Sequence, residues 1–205
     1  MFKLYHKNLK IIFIDWDDTL FPTSHHNNNN NLNNNLNIIL LEKIICKFIK
    51  KCLSITKHTY IISNAKKSWI IHCISNFYPK LFSVFDIHHN IISASDLYIN
   101  SLHSYNLTKI HTFQYIFNNI LQNSNSFYHN IIIISIGDSI QEKNALHKLQ
   151  IYNHSFIKSL LIKKNLSLKQ LPSDIDIIKQ INFIYNNFIS IIDTSIDNVL
   201  CYNHI

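Results

Sequence analysis

Apolar residues in this chain form short β-branched runs, separated by longer stretches in which they recur every three or four positions. Such alternation predicts parallel strands linked by amphipathic helices. The first run, Ile11 to Ile14, ends in Asp15. A helix is expected over about Ile38 to Leu53, with Leu41, Ile44, Ile45, Phe48 and Ile49 on one face. H-T-Y-I-I-S-N-A then reads as a second strand ending at Ser63 and Asn64, with a helix from about Lys66 to Phe77 behind it. Asn90 to Ala94 reads as a third strand. The next helix is expected from near Thr108, capped by it or by Asn106, with Lys109 in its first turn. Ile131 to Ser139 is the most strongly β run, turning at the sole glycine, Gly137, directly before Asp138. A fifth strand over Phe156 to Ile162 and an amphipathic helix from about Ser173 to Ile192 complete the pattern. The expected fold class is α/β: a mostly parallel five-stranded sheet with helices on both faces, in a single domain spanning 1–205.

Residues 25–37 interrupt this order with an asparagine tract, broken only by Leu32 and Leu36 after His25 and His26. A tract so poor in apolar residues reads as a low-complexity surface loop. Such an insertion is tolerated, since each doubling of loop length costs only ~0.6 kcal/mol.

At 205 residues and 47% hydrophobic, the chain is long and apolar enough for one sizeable core. Heavy use of Lys, Asn, Ile, Phe and Tyr matches A/T-rich codons, which explains much of the composition without reference to function. The net charge of +7 raises nucleic acid or an anionic membrane surface as partners. Against this, the lysines are scattered beyond the doublets Lys50-Lys51, Lys66-Lys67 and Lys163-Lys164, and the chain contains no arginine. Bidentate forks to bases or phosphates are therefore impossible. Cys46, Cys52, Cys73 and Cys201 form no C-x-x-C pair and read as free thiols in a reducing compartment. No apolar segment reaches the ~18 residues of a membrane span, and the N-terminus lacks a signal-peptide core. A cytoplasmic location is expected, and the Asn-x-Ser/Thr triplets at Asn106, Asn153 and Asn165 carry no glycosylation message.

Chemistry concentrates where three expected strands end: Asp15 and Asp17, Ser63 and Asn64, and Asp138, with Lys109 opening the helix ahead of the last. Open parallel sheets bind ligands at their carboxyl edge. Each feature alone has an ordinary structural explanation, because Asp, Asn and Ser end strands and cap helices, and lysines usually face water. All four in this order on successive strand ends are much harder to obtain by chance.

Together they resemble the haloacid-dehalogenase-like (HAD) phosphohydrolase superfamily. D-x-D-x-T is matched by Asp15-Trp16-Asp17-Asp18-Thr19, and an apolar strand ending in Ser or Thr by Y-I-I-S-N with Ser63. A helix-opening lysine is matched by Lys109 in L-T-K-I-H-T-F, and a strand ending in G-D with a later acid by G-D-S-I-Q-E, with Glu142. The whole chain is also similar to a protist and plant group carrying W-D-x-T-L-F-P-T-S and I-G-D-S, which implies no substrate. The resemblance implies a three-layer Rossmann-like fold and Mg²⁺-dependent hydrolysis of a phosphomonoester through an aspartyl-phosphate.

By that resemblance Asp15 is the nucleophile, and Asp17 protonates the leaving group and later deprotonates water. Ser63, Asn64 and Lys109 bind the phosphoryl group. Asp15, Asp138 and the Asp17 carbonyl hold Mg²⁺, since hard oxygen ligands suit it. Glu142, Ser139 and Gly137 stand behind these ligands: Glu142 to hold a metal-bound water or orient Lys109, and Gly137 to let the backbone turn and aim Asp138 inward. Trp16 reads as packing, Asp18 as solvent-facing or a cap, Lys66 and Lys67 as weaker candidates for the Lys109 position. His25, His26, His88 and His89 read as surface residues.

About 20 residues separate Asp17 from the first long helix and 45 separate Ser63 from Lys109, too few for a separate cap domain. The resemblance then implies an open site compatible with a protein or another large phosphorylated substrate. A catalytically weak HAD-like scaffold and a basic nucleic-acid-binding module stay as alternative readings.

Overall fold

A computed structural model describes residues 7–24, 35–98, 105–124, 128–149, 155–161, 177–179 and 181–186. Strands β1 (Lys7–Ile14), β2 (Thr59–Ser63), β3 (Ile91–Ser93), β4 (Tyr128–Gly137) and β5 (Ser155–Leu161) form one sheet in the order β3-β2-β1-β4-β5. Every neighbouring pair is parallel. The linking helices are α1 (Asn35–Ile55), α2 (Lys67–Phe77), α3 (Ile87–Asn90), α4 (Ala94–Leu97), α5 (Tyr105–Gln122) and α6 (Ile140–His147), with a 3₁₀ turn at Pro79–Ser83.

Strand β1 is central because it is apolar on both sides. Ile12 and Ile14 belong to one core cluster, with Leu41, Ile45, Phe48 and Ile49 of α1 and Ile70, Cys73 and Ile74 of α2. Leu9, Ile11 and Phe13 belong to the other, with Phe113, Ile116 and Phe117 of α5 and Ala145 and Leu146 of α6. Alternation of side chains along a strand produces this division. Each fully buried side chain of this size contributes about 1.5–3 kcal/mol, so the two clusters together pin the register of β1. Ile177, Ile178, Ile181 and Ile184 join the first cluster.

Several expectations shift. Helix α1 begins at Asn35, within the asparagine tract, and residues 25–34, with His25 and His26, lie outside the described part. Helix α5 begins at Tyr105, so Thr108 and Asn106 are inside it and Lys109 lies beyond the first turn. The Thr108 hydroxyl donates to Asn64 Oδ1 at 3.1 Å, a tertiary contact rather than a cap. Residues 177–179 and 181–186 are helical, and the remainder of the expected last helix lies outside the described residues, as does Cys201. Helix α6 falls where the hydrophobic pattern predicts no element. Its local signal is S-I-Q-E: Ser139 caps the helix and Glu142 reciprocates as a capping box.

Cys46, Cys52 and Cys73 are buried free thiols. Burial pushes Cys73 up to about 12, with the Asp17 charge adding to it. Among the described residues no helix is long and apolar enough to cross a membrane.

Candidate active site

The strand order reverses between β1 and β4, which makes their carboxyl ends the expected ligand crevice. Ile14 pairs with Ile136, and the Asp15 N–H donates to the Ile136 carbonyl at 2.8 Å. Asp15 is thus delivered at the edge of the crevice, still tied to β4, with Gly137 and Asp138 continuing beside it. Asp138 is half-buried.

Lys109 reaches this edge from α5. Its Nζ donates to Asp15 Oδ1 at 2.7 Å and to Glu142 Oε1. All three side chains are almost completely buried. The other Glu142 oxygen, Oε2, accepts from the Ser139 N–H at 3.0 Å and from the Ser139 hydroxyl. One carboxylate therefore caps α6 and anchors the lysine. Asp15 Oδ2 accepts from Thr19 Oγ1 at 3.3 Å.

Two buried carboxylates share one ammonium, so the cluster holds an excess negative charge. Burial raises the Asp15 carboxyl to about 7; Lys109 opposes the rise, and Glu142 and Asp138 reinforce it. Burial alone would pull Lys109 down, but Asp15 and Glu142 outweigh it and hold the ammonium above its ordinary value. The lysine therefore stays protonated, and the surplus negative charge falls on the carboxylates. A cation of hard-ligand preference fits that deficit. Asp15 and Asp138 on adjacent strand ends, with the Asp17 carbonyl, are the oxygens that could hold one. Among the described residues no three His, Cys, Asp or Glu side chains gather as a ready-made metal cage; this donor set uses only two side chains.

Asp17 sits on the turn beyond β1. Its Oδ2 accepts from Ser63 Oγ at 2.7 Å and its Oδ1 from Thr23 Oγ1 at 2.6 Å. Ser63 also accepts from the Ala65 N–H at 2.9 Å. Its hydroxyl is therefore turned to Asp17 here, rather than standing free for a phosphoryl oxygen. Asn64 joins the three segments of the rim, accepting from Thr108 and donating to Gln141 Oε1 at 3.2 Å. The turn is held by the Trp16 carbonyl, which accepts from the N–H groups of Leu20 and Phe21 at 2.9 Å. Trp16 itself is fully buried, stacked on Phe21 with centroids 5.8 Å apart and edge-on to Tyr78. It packs, as expected.

Asp18 differs from expectation. It is buried, with φ +53°, and accepts from the Ser24 N–H at 2.9 Å and from the Ser24 hydroxyl. The left-handed backbone turns it inward to close the loop, a conformation Asp tolerates better than most residues. Gly137 also has a different reason. It has no positive φ; a Cβ there would overlap Glu142 Cγ and come within 2.8 Å of Cδ. The glycine admits Glu142 rather than permitting a turn.

Of the candidate lysines, Lys67 donates its Nζ to the His88 carbonyl at 2.6 Å on the surface, and Lys66 precedes α2 as its cap residue. Lys109 is the one at Asp15. His89 pairs with Asp86 at 2.8 Å, exposed. Thr23, Thr108 and Gln141 stand inside the motifs L-F-P-T-S, L-T-K and G-D-S-I-Q-E, but only the fold shows what each of them bonds at the site.

Compared with known proteins, the chain matches no family model, no curated protein and no solved structure.

Proposed function

We propose that the chain is a Mg²⁺-dependent phosphomonoester phosphohydrolase of the HAD-like type, with a three-layer Rossmann-like arrangement and an aspartyl-phosphate intermediate. The observation that carries this reading is the buried contact of Lys109 with Asp15, made across 94 residues of sequence at the point where the strand order reverses.

Asp15 attacks phosphorus through a carboxylate oxygen while the bond to the leaving oxygen breaks, and Asp17 gives that oxygen a proton. Water then attacks the phosphorus of the aspartyl-phosphate, its proton passes to Asp17, and phosphate leaves with Asp15 restored. Ser63 and Thr23 hold Asp17 in place, and Ser63 turns its hydroxyl to a phosphoryl oxygen when one is present. Lys109 supplies fixed positive charge in a dry setting, where it acts more strongly than in water. Glu142 holds Lys109 and, through Ser139, ties it to the start of α6. Bound at Asp15, Asp138 and the Asp17 carbonyl, Mg²⁺ would neutralise phosphoryl and carboxylate charge.

The test is hydrolysis of an aryl phosphate and of a phosphoester and phosphopeptide panel, with and without Mg²⁺. Wild type is expected to turn over only with Mg²⁺, and folded Asp15→Asn to be inactive. Equal turnover by the variant, or none by wild type across the panel, overturns the reading.

A further inference from the structure

A cavity of about 780 Å³ opens at the opposite, amino-terminal edge of the sheet, between the starts of β1, β2 and β4 and the second half of α5. We propose that it is a second binding site, for an anion carrying a planar ring, of about mononucleotide size. Its volume lies within the roughly 300–1,000 Å³ of small-ligand sites. This inference is independent of the phosphohydrolase reading.

Charge gives the first argument. Lys10, Lys57 and His58 line the cavity, and none of the described residues lining it is acidic. The segment bearing Lys57 and His58 is built in place. Thr56 Oγ1 donates to the Lys10 carbonyl at 2.7 Å, the His58 N–H donates to Thr56 Oγ1 at 3.1 Å, and the Ile12 N–H donates to the His58 carbonyl at 2.9 Å. Cations on a fixed backbone lose less freedom when they bind an anion.

Aromatic surface gives the second. Tyr60, Tyr115 and Tyr128 all line the cavity. Tyr60 is half-buried, its ring 6.3 Å from that of Phe13. Tyr115 is 51% exposed on α5; Asn119 follows it one turn later and Asn123 just past the end of the helix, and both line the cavity. Below them Ile116 and Ile120 close the floor. Tyrosine faces stack planar rings, and the amides satisfy ring polar atoms. Lys57 also follows the C-terminus of α1, where a cation balances the helix dipole. That role alone leaves the exposed Tyr115 and the asparagines without a purpose.

Calorimetric titration of the full chain bearing Asp15→Asn, which removes turnover, tests the site with AMP, adenosine and ribose 5-phosphate. AMP is expected to bind, and the probes lacking phosphate or ring about tenfold more weakly or worse. Lys57→Ala and Tyr115→Ala, both at exposed positions remote from Asp15, are each expected to weaken AMP about tenfold. A short 5′-phosphorylated single strand distinguishes the source: tighter binding than AMP assigns a strand end, weaker binding a free nucleotide. No AMP binding at millimolar concentration, or binding that neither substitution changes, overturns the proposal, the latter by placing AMP elsewhere.

Discussion

Glu142 occupies the space where any side chain on residue 137 would begin, so the sole glycine of the chain and the acid that holds Lys109 are one steric unit. Gly137→Ala is expected to push Glu142 off Lys109, with a stability cost of about 1–3 kcal/mol from overpacking. In a Glu142→Ala background the atoms nearest to the added methyl are gone, and the cost should fall well below that. Denaturant midpoints for the four members of this double-mutant cycle measure the coupling; additive costs would show that the two residues do not meet.

Lys109 compensates two buried carboxylates. Lys109→Met leaves Asp15 and Glu142 buried without a counter-charge, an expected loss of about 3–5 kcal/mol near neutral pH. Adding Glu142→Gln removes one of the stranded charges and should recover part of that loss. Urea unfolding of the single and double variants gives the comparison.

The buried Asp15 binds its proton more tightly in the folded chain, with a carboxyl raised to about 7, than in the unfolded chain at about 4. Its contribution to stability is therefore fully present below about pH 4 and is lost as pH rises through about 7. Asp15→Asn should remove this dependence, leaving the variant more stable than wild type near pH 8 by on the order of a few kcal/mol, and little different near pH 4. Saturating Mg²⁺ should narrow the gap at the higher pH by stabilising wild type alone. Thermal melts at both pH values, with and without Mg²⁺, read the effect.

Thr23 donates to Asp17 from a turn that closes only in the folded chain. Thr23→Val keeps the shape and removes the donor. If Asp17 moves the proton, kcat on an aryl phosphate should fall about fivefold to tenfold, with KM within about twofold, from the loss of one charge-assisted bond. Steady-state kinetics separate this outcome from a purely structural role, which would leave kcat unchanged while lowering the melting temperature.

Ser139→Ala removes the capping hydroxyl of α6 and one of the donors that orient Glu142. The expected stability loss is about 1 kcal/mol, typical of an N-cap. Calorimetry on the purified variant measures it.

Much of this architecture is legible from local pattern. The runs ending at Ile14, Ser63, Ser93 and Gly137 are rich in β-branched and apolar residues, a pattern typical of buried strands in a parallel sheet. Asp15 and Ser63 could be nominated because strand ends share one edge in a parallel sheet; Lys109 was expected in the first turn of its helix and instead reaches that edge from beyond it. Helix α6 escapes the hydrophobic period; its signal lies in capping chemistry, since Ser139 and Glu142 mark its start where apolar spacing does not.

Contacts between distant segments decided the rest. Thr108 and Gln141 both find Asn64 only when β2, α5 and α6 meet, whereas Thr23 reaches Asp17 within the turn after β1. Asp18 reads as a surface acid until the left-handed turn buries it against Ser24. The cavity at the far edge gathers lysines, tyrosines and asparagines from β1, β2, α5 and β4 and from the α1–β2 and α5–β4 connections, with no local signature. By itself the sequence determined the strands, the longer helices and which acids stand at strand ends, because burial and periodicity act over a few residues. Only the tertiary structure decided which carboxylate shares the lysine, where Ser63 points and why residue 137 is glycine, because those depend on distances of a few ångströms between residues far apart in the chain.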